Sequence, residues 1–238
     1  MEDGQAIRQK LAIANRILVN EGVTELGRGH VCYYLGGGKI LVPAHLHAYG
    51  RTIADCTEND MVTIDFDGRV VEGKYSQSMG EVHFYTELFK SRGDVRAAAH
   101  IHPFYANLLA MAGKKLVMCS RDSFLFVEGI SEYEGLPLYV KDKEMGRAMV
   151  EKLGNRHVIL HRGHGAFVAG ETVEDVVIRS AALERAAKKH VLTSLLGTPL
   201  TYDEGQVRKA HTREIYMETA SIDWGYFMMR LQKTGTVL

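Results

Sequence analysis

The run Ala97-Ala98-Ala99-His100-Ile101-His102 constrains this chain more than any other stretch. It reads as a short apolar strand, and successive side chains of a strand point to opposite faces. His100 and His102 therefore share a face while Ile101 takes the other, so two imidazoles converge on one point. Neutral imidazole nitrogens bind zinc at about 2.0–2.1 Å, and a rigid strand carrying two of them is what a divalent cation needs. A third ligand is expected from His164, in Val158-Ile159-Leu160-His161-Arg162-Gly163-His164-Gly165, where an apolar strand runs into a glycine-flanked histidine. Three histidines without a fourth protein ligand leave coordination positions open, the catalytic rather than the structural pattern. The chain holds 11 histidines, so spacing alone also admits coincidence.

Upstream, Ser76-Gln77-Ser78-Met79-Gly80 leads into a helix that opens at Glu81 and ends before Gly93-Asp94. A carboxylate at that position is by itself a partner for the helix dipole and its open amides. It becomes a candidate catalytic group only if the histidines downstream fold back beside it.

At 238 residues the chain suits one domain, 1–238, with a helical tail from about Glu204 to Gly235. Lysine plus arginine equals aspartate plus glutamate at 29 each, so nothing points to nucleic acid or an anionic membrane. A small-molecule substrate or a protein partner fits better. Cys32, Cys56 and Cys119 are scattered, odd in number and in no C-x-x-C pair, as expected of a reducing compartment. The start of the chain has no basic and apolar leader, and no window approaches about eighteen apolar residues. The expectation is a cytoplasmic protein.

Along the chain, Ile7, Leu11, Ala14, Ile17 and Leu18 mark an amphipathic helix ending near Gly22. Gly27 to Tyr34 and Lys39 to Pro43 form a hairpin about Gly36-Gly37-Gly38, and Met61 to Gly73 forms another about Asp67-Gly68. The Gly27-to-His30 loop, with Gly29, allows backbone to approach a ligand. Ala44-His45-Leu46-His47 is a second His-X-His, but Pro43 before it and Gly50 after it frame no strand. His45, His47 and Arg51 are better read as donors to a substrate carboxylate. A helix begins at Pro103, short strands are expected at Leu116-Val117-Met118 and Leu136 to Val140, and helices over Lys143 to Leu153 and Thr172 to Leu196. Met145, Ala148, Met149 and Leu153 should face inward, and Glu184 reads as a solvated edge position, with burial against a partner as the alternative. Trp224, Tyr226, Phe227, Met228 and Met229 cluster in the tail as core or subunit contact. Hairpins outnumber strand-helix-strand crossovers, so the sheet should be mainly antiparallel with helices on its faces.

Taken together, Gly29-His30-Val31, the run Asp65-Phe66-Asp67-Gly68 to Glu72-Gly73, Glu81, Ser91-Arg92-Gly93-Asp94-Val95 to His100-Ile101-His102-Pro103, and His164-Gly165 to Gly170 followed by Ala182-Leu183-Glu184 resemble the class II aldolase/adducin family over roughly residues 7 to 195. The resemblance implies an α/β fold, a three-layer α/β/α sandwich around a mainly antiparallel central sheet. It also implies a homotetramer with active sites at subunit interfaces, one divalent metal per chain (Zn2+ or Mn2+) on His100, His102 and His164, and Glu81 as the acid/base carboxylate.

The departures bear on substrate. Sugar-phosphate aldolases of the family place two serines before the catalytic glutamate, where this chain has Met79 and Gly80. They carry asparagine where this chain has His30, and a Thr/Ser-Gly phosphate turn where it has Pro43-Ala44-His45. They also lend a tyrosine from a neighbouring subunit, in the region read here as Cys119-Ser120-Arg121-Asp122-Ser123. A phosphate dianion would lack its donors. Family members with histidine after that glycine include decarboxylases of hydroxylated aromatic acids. The expected function is a metal-dependent carbon-carbon lyase working through a metal-stabilised enolate, decarboxylating a hydroxylated aromatic, heteroaromatic or keto acid. In it Gly29, His30, His45, His47 and Arg51 would contact substrate. The alternatives are an aldolase or epimerase acting on a sugar or sugar phosphate, and a non-enzymatic adducin-like binding protein.

Overall fold

The computed structural model describes residues 4–234; Met1 to Asp3 and Gly235, where the expected tail helix ends, lie outside them. Among the described residues eight strands form one sheet: β1 (His30–Gly36), β2 (Lys39–Pro43), β3 (Met61–Ile64), β4 (Val70–Glu72), β5 (Ala97–Ile101), β6 (Ser131–Tyr133), β7 (Val158–His161) and β8 (Gly165–Gly170). Their spatial order is β4-β3-β2-β1-β5-β8-β7-β6. Only the β6–β7 pair is parallel, so the expected antiparallel sheet is what forms.

Helices cover both faces. α1 (Gly4–Asn20), α3 (Phe104–Met111), α5 (Val173–Leu196) and α7 (Arg213–Lys233) pack together on one; α2 (Val82–Ser91) and α4 (Lys143–Leu153) pair on the other. β5 is buried along its whole length, and Ala97 and Ala99, on the face opposite His100, let α5 lie close against it. Asn15 of α1 is buried; its Nδ2 donates to the Leu11 carbonyl and its Oδ1 accepts from the Val31 amide. That bond pins the first helix to the start of β1, the strand that carries His30.

Several expected elements differ. Residues 116–118 and 136–140 make no strand; each contains a tight backbone turn instead, Cys119 N to Val117 O at 2.9 Å and Leu138 N to Leu136 O at 2.7 Å. Pro137 has no amide to give a ladder, and the edge strand is β6, three residues that show no long alternation. Ala148 is exposed, and Gly146 takes the inward position because a Cβ there would meet the His83 carbonyl at 2.5 Å. The tail is two helices, α6 (Glu204–Ala210) and α7, parted at His211 and Thr212. Phe227 is buried in the core whereas Tyr226 is exposed, and α7 rests on α1 and α5.

Arg51 also departs from expectation. Its guanidinium donates to both oxygens of Asp60, at 2.8 Å each, and to the Asp55 carbonyl at 2.6 Å. Asp60, 2% exposed, accepts in addition from the Thr57 amide, the Thr57 hydroxyl and the Tyr75 hydroxyl. Burial raises the Asp60 pKa, but the Arg51 guanidinium and these donors together hold it well below the usual carboxylate range. The folded-state pKa is depressed, so its stabilisation is complete above the ordinary carboxylate pKa and is lost as pH falls through the lowered value. Asp60→Asn is expected to cost about 2–3 kcal/mol at pH 7. In denaturant titrations the gap between wild type and variant should narrow below about pH 4.

Candidate metal centre

The sheet register builds the site. His30 of β1 pairs with His100 of β5, and His100 with Phe167 of β8, so three rings line one row on one face. Phe84 of α2 packs on Phe167, with ring centroids 4.2 Å apart, which marks that face as the one under α2. His102 follows β5 on the same side, and His164 sits in the turn between β7 and β8. Among the described residues, His100, His102 and His164 are the group whose ligand atoms lie within 4.8 Å of one another. Gly165 makes this approach possible: a Cβ there would meet the Ile101 carbonyl at 2.4 Å and the His102 and His100 rings at 3.1 and 3.2 Å.

The ring nitrogens are sorted by their neighbours. His100 Nδ1 lies 3.2 Å from the Ala166 carbonyl and His102 Nδ1 3.3 Å from that of Arg28. A carbonyl only accepts, which assigns the proton to Nδ1 and leaves each Nε2 a bare lone pair. Those two Nε2 atoms face each other at 3.1 Å. Glu81 joins them, with Oε2 2.6 Å from His100 Nε2 and Oε1 3.6 Å from His164 Nε2. Acceptors so placed in a buried pocket repel unless a positive charge lies among them, and tetrahedral zinc at about 2.0–2.1 Å would set nitrogens at this spacing. The donor set thus fits a divalent cation.

Protonation agrees. Burial first, then the neighbouring His100, lowers His102 to about 4, and His164 is lowered by burial as well. Both are neutral imidazoles near pH 7, the form that ligates. Burial pushes the Glu81 carboxyl up, while positive charge at His100 and His164 and the Val140 amide pull it down, so the carboxylate is favoured when a cation stands among these rings.

Glu81 does not cap its helix, as the dipole reading would have it. It stands at the N-cap of α2 with φ 65° and ψ 21°, in the left-handed region, and no amide of the helix uses its side chain. That backbone turns the carboxylate toward the histidines, where it accepts from Val140 N at 3.0 Å. Glu184, read as a solvated edge residue, supplies a cap instead: its carboxylate accepts from the Tyr105 and Ala106 amides at the start of α3, just beyond His102. No signal in the sequence connects residues so far apart.

These groups open onto a cavity of about 700 Å³. Gly29, His30, His45 and His47 line it, as do Met79, Gly80, Leu26, Arg28, Pro137, Leu138 and Tyr139; Arg51 does not. Gly29, with φ 105°, also leaves no room for a Cβ against the His100 carbonyl at 2.7 Å. His30 is 1% exposed, packs edge-on to Tyr85, and neither ring nitrogen has a partner. Burial, then His100, lowers it to about 3, so it is neutral.

The left-handed backbone at Glu81 is strained for any residue but glycine, by about 1 kcal/mol. Glu81→Gly and Glu81→Ala both remove the carboxylate, so their difference reports the backbone alone. The glycine variant is expected to be the more stable of the two by about 1 kcal/mol in chemical denaturation.

Known proteins resemble this chain at both levels. It is 29% identical over 190 residues to a 3,4-dihydroxyphthalate decarboxylase of Arthrobacter keyseri, 76% of this chain and 75% of that one. It is 26% identical over 172 residues to an L-fuculose phosphate aldolase of Methanocaldococcus jannaschii, 69% of this chain and 90% of that one. In fold it superposes with a TM-score of 0.81 on an aldolase II superfamily protein from Pseudomonas syringae, at 20% identity, covering 99% of this chain and 95% of the other. Residues 9–191 match the sequence profile described as Class II Aldolase and Adducin N-terminal domain, and the chain belongs to that family.

Proposed function

We propose that this protein is a metal-dependent carbon-carbon lyase that decarboxylates a hydroxylated aromatic, heteroaromatic or keto acid. The observation that carries the reading is a cluster of bare Nε2 and carboxylate acceptors opening onto a cavity where Met79 and Gly80 precede Glu81 and Leu26, Pro137, Leu138 and Tyr139 form one wall. In this reading His100, His102 and His164 hold one divalent cation, Zn2+ or Mn2+. Bound there, the cation supplies Lewis-acid stabilisation of the oxygen on which enolate charge develops.

The side chains do the rest. Glu81, ionised at neutral pH and beside the histidines, accepts the proton of the substrate hydroxyl. The carbon-carboxylate bond breaks, carbon dioxide leaves, and the electron pair stays on the substrate. Glu81 then returns its proton to that carbon. Neutral His30 offers one donor and one acceptor, which suits a hydroxyl or carboxyl group, while His45 and His47 reach the substrate from the opposite loop. Met79 and Gly80 contribute no side-chain hydrogen-bond donor before Glu81. Leu26, Pro137, Leu138 and Tyr139 give the cavity an apolar wall suited to a ring.

A cytoplasmic homotetramer with sites between subunits belongs to the same reading. Leu26, Leu138 and Tyr139 are 79%, 56% and 65% exposed at the cavity mouth, an apolar rim that a second copy would cover. The three free cysteines suit a reducing compartment. No described helix is long and apolar enough to cross a membrane.

The relatives named L-fuculose phosphate aldolase support a second reading, retro-aldol cleavage or epimerisation of a sugar or sugar phosphate through the same kind of enolate. Carbon dioxide release from a panel of hydroxy-aryl and keto acids separates the two. Release is expected with the Zn2+- or Mn2+-loaded protein, and Glu81→Gln should lower kcat by about 10²–10⁴-fold. His30→Phe, which keeps a ring but no nitrogen, should raise KM. Cleavage of a ketose phosphate with no release from any acid would overturn the decarboxylase reading.

A further inference from the structure

The segment 136–140 runs along the cavity wall without joining the sheet, yet its backbone meets the site at both ends. The Leu136 carbonyl accepts from His161 Nε2 at 2.8 Å. The Val140 amide donates to Glu81 Oε1 at 3.0 Å. The side chains of Leu136, Leu138 and Tyr139 are exposed, so this stretch addresses the site through its main chain. Pro137 restrains it between the two contacts and lies against Gly163, where an added Cβ would meet it at 3.3 Å.

His161 anchors this strap. It is fully buried at the end of β7, its ring stacked on His164 with centroids 5.1 Å apart and planes 23° apart, and edge-on to Tyr133. Its Nε2 faces a carbonyl and so carries the proton. One buried ring therefore touches both a histidine of the metal cluster and the strap that runs past it.

The three histidines of the cluster are not equally held. His100 and His102 each have a carbonyl within 3.3 Å of Nδ1, whereas His164 Nδ1 is buried with no hydrogen-bonded partner. A ligating histidine ordinarily donates its remote N–H to a carbonyl or carboxylate, which sets its tautomer and orientation. The strap passes beside His164: Pro137 lies against Gly163, and Leu138 lines the same cavity as His164.

We propose that His161 is a positioning residue: by holding the Leu136 carbonyl it places residues 136–140 so that the Leu138 carbonyl receives the remote N–H of His164 and the Val140 amide holds Glu81. This rests on the reading of His100, His102 and His164 as a metal centre. His161 itself touches neither metal nor substrate; it acts through the strap and the stack. Loss of such an outer hydrogen bond typically weakens metal binding about 10–100-fold.

The test uses Co2+ alone as the probe, with binding to the full chain followed by calorimetry and by the visible d–d absorption that reports ligand geometry. Gln places an amide nitrogen where His161 has Nε2, and Asn places it where His161 has Nδ1, so the two separate the hydrogen bond from polarity and volume. His161→Gln is expected to bind Co2+ within about threefold of wild type with an unchanged band. His161→Asn is expected to bind about 10–100-fold more weakly with an altered band. His161→Phe, which keeps the stack without the donor, repeats the test should the Asn variant lack a native circular dichroism spectrum. Wild-type affinity and spectrum in the Asn or Phe variant would overturn the proposal while leaving the metal centre intact. Equal weakening in Gln and Asn would assign the effect to packing and overturn it as well. Failure of the wild type to bind Co2+ would overturn the metal centre itself, and the strap's role with it.

Discussion

Bare nitrogen lone pairs and a carboxylate cannot crowd into a buried pocket without positive charge among them. That constraint organises the centre of this protein. Backbone carbonyls of Ala166 and Arg28 take the Nδ1 protons of His100 and His102 and so commit the Nε2 atoms to face inward. Burial lowers the pKa of His102 and His164, so these two rings favour the neutral, ligating form near neutrality. Glu81 stays ionised at the same place. Each feature alone is ordinary; together they define a receptor for a cation.

The sheet exists, in this view, to hold that arrangement still. Strands β1, β5 and β8 lie in its middle, and their register sets His30, His100 and Phe167 in one row. Glycine at position 165 lets the β8 backbone pass within reach of two imidazoles. Helix α2 delivers Glu81 from above that row, at the cost of a left-handed residue, a conformation that costs about 1 kcal/mol and concentrates where function requires it. Glu184 caps α3 directly after His102, so even the helices of the opposite face contribute to where the metal-facing end of β5 stops.

Local geometry was readable from the sequence and long-range competition was not. Period-two alternation depends only on strand geometry, so the shared face of His100 and His102 follows from six residues, and the glycines about His164 mark its turn. The hairpins and the helices from Lys143 to Leu153 and Thr172 to Leu196 carry their own start and stop residues, which is why they agree closely with the structure. Arg51 looked like a free cation beside two histidines because nothing local shows that Asp60 claims both arms of its guanidinium. Glu184 was misjudged for the same reason: its partners are backbone amides at Tyr105 and Ala106. Residues 136–140 read as a strand from apolar side chains, of which Leu136 to Tyr139 in fact face outward and only Val140 is buried, while the contacts to the site are made by backbone and leave no trace in residue type.

Family membership gives the fold, and its relatives include decarboxylases and aldolases; the substrate proposed here rests on the cavity around the cluster. The proposed preference for an acid over a sugar phosphate rests in part on His30, buried at the cavity with two unpartnered nitrogens. Everything proposed for the site depends on a metal ion held by His100, His102 and His164. Elemental analysis of the untagged protein after equilibration with Zn2+ or Mn2+ and gel filtration, beside His102→Ala, tests that dependence most directly. The account predicts about one divalent ion per chain in the wild type, lost in the variant. No retained metal in the wild type, or equal retention in His102→Ala, would contradict it and favour a binding role without metal chemistry.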